Sequence, residues 1–209
     1  MNIYVNVLFP EIKMDVTENN IINVVLFEPE IPQNTGNIMR TCVATGALLH
    51  IIGPVGFDID NPEFRRASTN HITWADYTLY DSYEDFWSRN EGEYFFMTRY
   101  GKKPPSSIDF ALASHPAGSD TGSDGQPPVP LYLIFGREST GIPYDILKDN
   151  LERCFRIPMA PECRSLNLSN AAAIAIYECV SQLGYPDLSL TEVQKGEDFL
   201  ESYDATLGR

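Results

Sequence analysis

Four short, largely apolar runs constrain this chain more than any other feature. They are INVVLF at 22–27, LLHII at 48–52, YFFMT at 94–98 and LYLIF at 131–135. Runs of this length, bounded by turn residues, read as strands buried on both faces. A shorter strand is expected at 155–157, halted by Pro158. Helical patterns separate them. One carries apolar positions at Ile38, Cys42 and Val43, is capped at Asn34 or Thr35, and ends near Gly46. Others lie at 83–87, at 143–147 and at 168–183, the last ended by Gly184 with Pro186 beyond. Strands alternating with helices predict an α/β fold with a mostly parallel sheet. Ligands of such sheets bind at loops beyond the strand C-termini.

The pattern divides the chain into an N-terminal extension (1–21), a domain (22–187) and an acidic C-terminal tail (188–209). Residues 56–80 are polar and mixed, without a regular period. The stretch 104–130, rich in Pro, Ser, Gly and Asp, reads as a flexible surface insertion.

At 209 residues and 43% hydrophobic, the chain can bury a sizeable core, which excludes a disordered or fibrous protein. No apolar run approaches the roughly 20 residues of a membrane helix. The first residues lack the basic n-region of a signal peptide. A soluble, cytoplasmic protein is expected. The formal charge of −14 argues against an overall nucleic-acid surface. The acids concentrate at the ends, however, while basic residues cluster at Arg65 and Arg66, at Arg99, Lys102 and Lys103, and at Arg153, Arg156 and Arg164. A local basic face is compatible with that distribution. Four cysteines without a CxxC pair, and three histidines without ligand spacing, predict no metal site.

Three loops beyond strand ends carry the chemistry. In the first, PEIPQNTGN at 29–37, two prolines stiffen the backbone and Asn34 and Asn37 present amides, with Arg40 a turn into the helix. In the second, FGREST at 135–140 followed by GIP, Gly136 and Gly141 permit close backbone approach, and Glu138 can accept from an amine or hydroxyl. Ile142 stands where a phosphate-binding lysine belongs, so this is no P-loop. In the third, Ser165, Asn167, Ser169 and Asn170 precede a helix opening on small residues. Each loop by itself is equally readable as a capped strand-to-helix turn. No GxGxxG follows a strand and no GxSxG elbow is present.

Taken together and in order, EPEIPQNTGNIMRTC at 28–42, IFGRESTGIP at 134–143, RIPM at 156–159, RSLNLSNAAAIAIYE at 164–178 and QLGYP at 182–186 resemble the SPOUT superfamily of RNA methyltransferases. LHIIGPVGF at 49–57 and FRRA at 64–67 match as well. Within that superfamily the resemblance is to the small tRNA 2′-O-methyltransferases that act at the wobble position, over about residues 22–187. It implies an α/β fold with a C-terminal deep trefoil knot, an exception to the usual rules of chain topology. It also implies S-adenosyl-L-methionine (AdoMet) bound at the knot, and a homodimer whose sites are each completed by the partner chain. The helix from 168 is the expected dimer element.

By position, the resemblance assigns AdoMet contacts to Met97, Gly136, Ile157 and Ser165. It places Arg40 and Asn34 toward the target nucleotide, with Glu138, Asn167 and Tyr177 near the reacting centre. The implied reaction is methyl transfer to the ribose 2′-hydroxyl of the wobble cytidine or uridine in a tRNA anticodon stem-loop, without a metal. Methylation of ribosomal RNA, or a knotted RNA- or AdoMet-binding protein without catalysis, are the alternatives. Arg65, Arg66, Arg99, Lys102 and Lys103 are the expected RNA contacts. The sequence departs from the family pattern at Arg137, Thr140, Val180 and Ser181, departures that bear on RNA contact more than on AdoMet.

Overall fold

The computed structural model describes residues 21–58, 77–115 and 127–203. Its first strand, β1 (Ile22–Phe27), is buried throughout, as a run without polar alternation requires. Successive side chains still alternate between the two faces of the sheet. Val24 and Leu26 enter one core, Val25 and Phe27 the other. The remaining strands are β2 (Leu48–Ile52), β3 (Tyr77–Tyr80), β4 (Glu93–Met97), β5 (Leu131–Phe135) and β6 (Cys154–Phe155). They form one sheet in the order β3-β2-β1-β5-β4-β6, with every described pairing parallel. The expected α/β class with a parallel sheet is therefore observed.

Five helices among the described residues cover the faces: α1 (Pro32–Thr45), α2 (Tyr83–Arg89), α3 (Phe110–Ser114), α4 (Tyr144–Asp149) and α5 (Leu168–Gln182). Ile38 and Met39 of α1 join Ala172, Ala175, Ile176 and Val180 of α5 in the first core. The alanines let α5 approach closely. Full burial of Ile176 and Val180 contributes about 1.5–3 kcal/mol each. Phe86 of α2 and Leu147 of α4 pack in the second core with Tyr94, Phe96 and Tyr132. Cys42, Cys154 and Cys179 are buried, and desolvation pushes the Cys42 and Cys179 thiols up to about 12.

Several local expectations are corrected. Helix α1 starts at Pro32, not at an Asn34 or Thr35 cap. Proline suits a first helical position, because its fixed φ is already helical and its missing N–H needs no partner. Asn34 is thereby freed for tertiary contacts. The strand β3, YTLY, falls in a stretch read as irregular, and its exposed Leu79 hides the period. Part of the expected flexible insertion is ordered. A 3-10 turn at Pro105–Ser107 and helix α3 bury Ile108 and Phe110, and Phe110 meets Phe95 at 5.2 Å between ring centroids. The last strand pairs at Cys154–Phe155 rather than 155–157, so Arg156 and Ile157 leave the sheet. Arg65 and Arg66 lie outside the described residues.

Candidate active site

The strand order reverses beside β1. From β1 the chain proceeds outward to β2 and β3, then returns on the far side, where β5 lies against β1. The loops after β1 and β5 therefore meet at a topological switch point, where open α/β sheets hold ligands. They are locked together by a reciprocal exchange. The Glu138 carboxylate accepts from the backbone N–H of Glu30 (2.9 Å) and of Ile31 (3.3 Å). In return the Glu30 carboxylate accepts from the Ser139 N–H (2.8 Å) and hydroxyl (2.7 Å). Those bonds hold the Glu30 carboxyl below its usual pKa range. Arg137 adds an ion pair to Glu28 and lies 5.7 Å over the Phe27 ring.

The third loop is tied in through two asparagines. Glu138 accepts from the Asn34 side-chain amide at 3.0 Å, and Asn34 Oδ1 accepts from Asn167 Nδ2 at 2.9 Å. Asn167 Oδ1 in turn accepts from the Ser169 N–H, capping α5. One polar chain thus runs from the β5 loop through α1 to the start of α5. Glu138 accepts three hydrogen bonds in this arrangement. Glu138 also lines the neighbouring cleft, so the carboxylate that ties the loops together borders the space a ligand would occupy.

Beside this chain opens a cleft of about 810 Å³, within the range of small-molecule sites. Its walls come from the ends of β4, β5 and β6 and from the third loop. Gly136 makes the approach possible: a Cβ there would sit 2.2 Å from the Gly141 carbonyl carbon and from the Ile142 nitrogen. Gly101 plays the same part at β6, where a Cβ would lie 2.3 Å from the Phe155 carbonyl carbon.

Of the sequence-predicted residues, Asn34, Met97, Arg99, Gly136, Glu138, Ile157, Ser165 and Asn167 line this cleft. Arg40 does not; it is exposed on α1, away from the lining. Tyr177 does not either, being 48% exposed more than two turns along α5. Lys102 and Lys103 are exposed beside the cleft, with Lys103 3.6 Å from Glu152. The sequence reading missed Tyr100 and Tyr144, which stand at the mouth. Their signal was modest: each is an aromatic residue adjoining a glycine- or proline-bearing site loop.

The profile of the SpoU rRNA Methylase family matches residues 21–177. The chain belongs to the SpoU rRNA Methylase family. A relative from Escherichia coli (strain K12), a tRNA (cytidine(34)-2′-O)-methyltransferase, is 40% identical over 174 residues, 82% of this chain and 99% of its own. A solved structure described as giving insight into 2′-OH methylation of C/U34 on tRNA superposes with a TM-score of 0.65 at 33% identity, covering 78% and 96% of the two chains. An AdoMet-bound rRNA methyltransferase from Sinorhizobium meliloti superposes at 0.63 with 25% identity, covering 79% of this chain and 57% of its own. In this SpoU methylase chain the departures from the family pattern acquire physical reasons. Arg137 closes the β1–β5 crevice through Glu28, and Val180 is fully buried in the core. Arg137 also lines the cleft, whereas Val180 does not. Nothing in the structure explains Thr140.

Proposed function

We propose that this chain transfers a methyl group from AdoMet to the ribose 2′-hydroxyl of the wobble nucleotide of tRNA. The observation that carries the reading is the single cleft that joins the three motif loops, in a chain aligned with 99% of a tRNA (cytidine(34)-2′-O)-methyltransferase. The residues fit AdoMet. The cleft has the volume for it, Gly136 lets the loop after β5 fold tightly against Gly141 and Ile142 along the cleft wall, and Met97 and Ile157 supply apolar walls. Met97, Gly136, Ile157 and Ser165 would hold it. Bound there, AdoMet supplies an electrophilic methyl on a sulfonium. The protein then has to position the ribose hydroxyl, exclude water and hold the site rigid. The Glu138–Asn34–Asn167 chain provides the rigidity, since each member is fixed by another.

Arg40 anchors phosphate or orients the hydroxyl in this reading; a guanidinium remains charged and is a poor base. Its position outside the cleft of its own chain supports a homodimer in which the partner chain completes each site. Helix α5 supports the same assembly: Ile174 and Tyr177 are 46% and 48% exposed, three residues apart on one face. A deep trefoil knot belongs to the reading as well. Its support is the loop after β4, which wraps the β6 segment through the bonds Thr98 N–H to Phe155 O and Arg156 N–H to Lys103 O, both 2.9 Å. We take 22–187 as the methyltransferase domain, 1–21 and 188–209 as appendages, and the cytoplasm as its location. Arg65, Arg66, Arg99, Lys102 and Lys103 remain the assigned RNA contacts.

The test is methyl transfer to total tRNA lacking wobble ribose methylation, followed by digestion and mass spectrometry of nucleosides. A 2′-O-methylated pyrimidine mapped to the wobble position is expected. Methylation confined to ribosomal RNA would overturn the substrate. In parallel, Arg40→Ala is expected to lose methyl transfer while retaining AdoMet affinity; unchanged activity would remove Arg40 from the site.

A further inference from the structure

Two tyrosines stand where the cleft opens to solvent. Tyr100 follows β4 and Tyr144 begins α4, and they are 45% and 64% exposed. Their rings meet edge to face, with centroids 5.5 Å apart and an interplanar angle of 83°. Their hydroxyls are 3.0 Å apart. Arg99 donates to the Tyr100 hydroxyl at 2.6 Å, and its guanidinium lies 4.8 Å over the Tyr100 ring. The three side chains therefore hold one another in a defined arrangement without being buried. A soluble surface has little reason to fix two apolar rings in water, and large exposed aromatics beside a cleft mark recognition.

The charge around them is as informative. Arg99, Arg156 and Arg164 all line the same cleft, and none forms an ion pair among the described residues. Arg156 instead donates to the Arg99 carbonyl at 3.3 Å, which fixes it beside the tyrosines. Three uncompensated guanidinium groups on a chain of net charge −14 make this mouth a local anomaly. Aromatic faces flanked by arginines are the chemistry that captures unstacked nucleobases and their phosphates.

We propose that Tyr100 and Tyr144, braced by Arg99, form a shelf on which one base of the RNA anticodon loop stacks, with Arg156 and Arg164 meeting the adjacent phosphates. The inference rests on the proposed RNA reading and adds the residues that engage a base. Tyr100 and Tyr144 form the solvent-exposed part of the cleft lining, whereas Met97 and Gly136 are buried, so a base of an RNA arriving from solvent, rather than the adenine of AdoMet, is the occupant.

The experiment uses the full-length protein and a fluorescein-labelled anticodon stem-loop RNA. Binding is read by anisotropy, AdoMet affinity by calorimetry, and methyl transfer by the mass-spectrometric assay. Tyr100→Ala and Tyr144→Ala are each expected to weaken RNA binding about tenfold, the effect of losing one stacking face. KM for RNA rises with it, kcat is nearly retained, and AdoMet affinity is unchanged. Tyr100→Phe and Tyr144→Phe keep the ring and restore most of the binding. Stem-loops carrying one abasic nucleotide locate the partner: at one loop position the abasic loss and the alanine loss do not add. Alanine variants that bind RNA like the parent overturn the shelf. So does a loss of AdoMet affinity equal to the loss for RNA, which assigns the rings to the cofactor adenine. If the parent protein binds the stem-loop without methylating it, the proposed function fails, and the anisotropy series still decides the shelf.

Discussion

Glu138 shows how one side chain can tie two distant loops into a single site. Its carboxylate serves two backbone N–H groups and the Asn34 amide, all from a segment more than one hundred residues away. Glu138→Ala leaves those donors unsatisfied. It is expected to cost about 1–3 kcal/mol of stability, measured by urea denaturation, and to reduce methyl transfer. Glu138→Gln can still accept with its one carbonyl oxygen and falls between. Gly136 is the opposite case, a residue defined by what it lacks. Gly136→Ala drives a methyl against the backbone of Gly141 and Ile142, so the β5 loop must shift. AdoMet affinity measured by calorimetry is expected to fall at least about tenfold, with a smaller change in melting temperature, because the displaced loop walls the cleft rather than the core.

At the scale of elements, α5 has two jobs that its sequence separates by face. Ala172, Ala175, Ile176, Cys179 and Val180 are fully buried against α1 and the sheet, whereas Asn170, Ile174, Tyr177 and Ser181 are exposed. Exposed positions spaced by three or four residues form one stripe along the helix. With Ile174 and Tyr177 at its centre, that stripe suits a second copy of the chain. Ile174→Glu places a charge there and is expected to convert the proposed dimer to monomer in sedimentation velocity at micromolar concentration. The helical circular dichroism should be retained, since the buried face is untouched. A parent that sediments as a monomer would overturn the proposed dimer, and a variant that stays dimeric would move its interface elsewhere. Helix α1 shows the same division: Ile38, Met39 and Cys42 are buried, Arg40 is exposed, and Asn34 turns toward the β5 loop.

The molecule as a whole carries a pH dependence that originates far from the cleft, on the second core. There His50 is buried with Tyr80 at 2.8 Å and Asn23 Oδ1 at 3.0 Å. Because the Asn23 amide nitrogen donates to the Ile21 carbonyl, its oxygen must accept, which assigns the donor proton to His50 Nε2. Burial, assisted by the Arg89 charge, pulls this imidazole down to about 4. The unfolded chain takes up the proton near pH ~6.5 and the folded one only near 4. Stability from this group is therefore complete above about pH 6.5 and is lost as pH falls toward 4, by about 3 kcal/mol. Thermal melts between about pH 7 and about pH 4 should show this loss, and His50→Gln should shrink it. A pH profile of the variant parallel to that of the parent would place the acid sensitivity in other groups.

The apolar runs at 22–27, 48–52 and 131–135 determined the parallel α/β sheet by themselves, because a strand buried on both faces leaves its mark on consecutive residues. The three motif loops were equally legible, since their glycines, prolines and asparagines are demanded by local backbone geometry. Strand β3 and the ordered turn and helix at 105–114 were not legible. Their residues gain order only by packing on distant partners, as Phe110 does on Phe95. Nor could the sequence assign roles within the loops. Glu138, Asn34 and Asn167 are separated by more than one hundred residues from end to end, and only the meeting of β1 with β5 brings them into one hydrogen-bonded chain. The tyrosines at the cleft mouth became a pair for the same reason: chain spacing encodes local conformation, whereas contact between segments is decided by how the sheet is crossed.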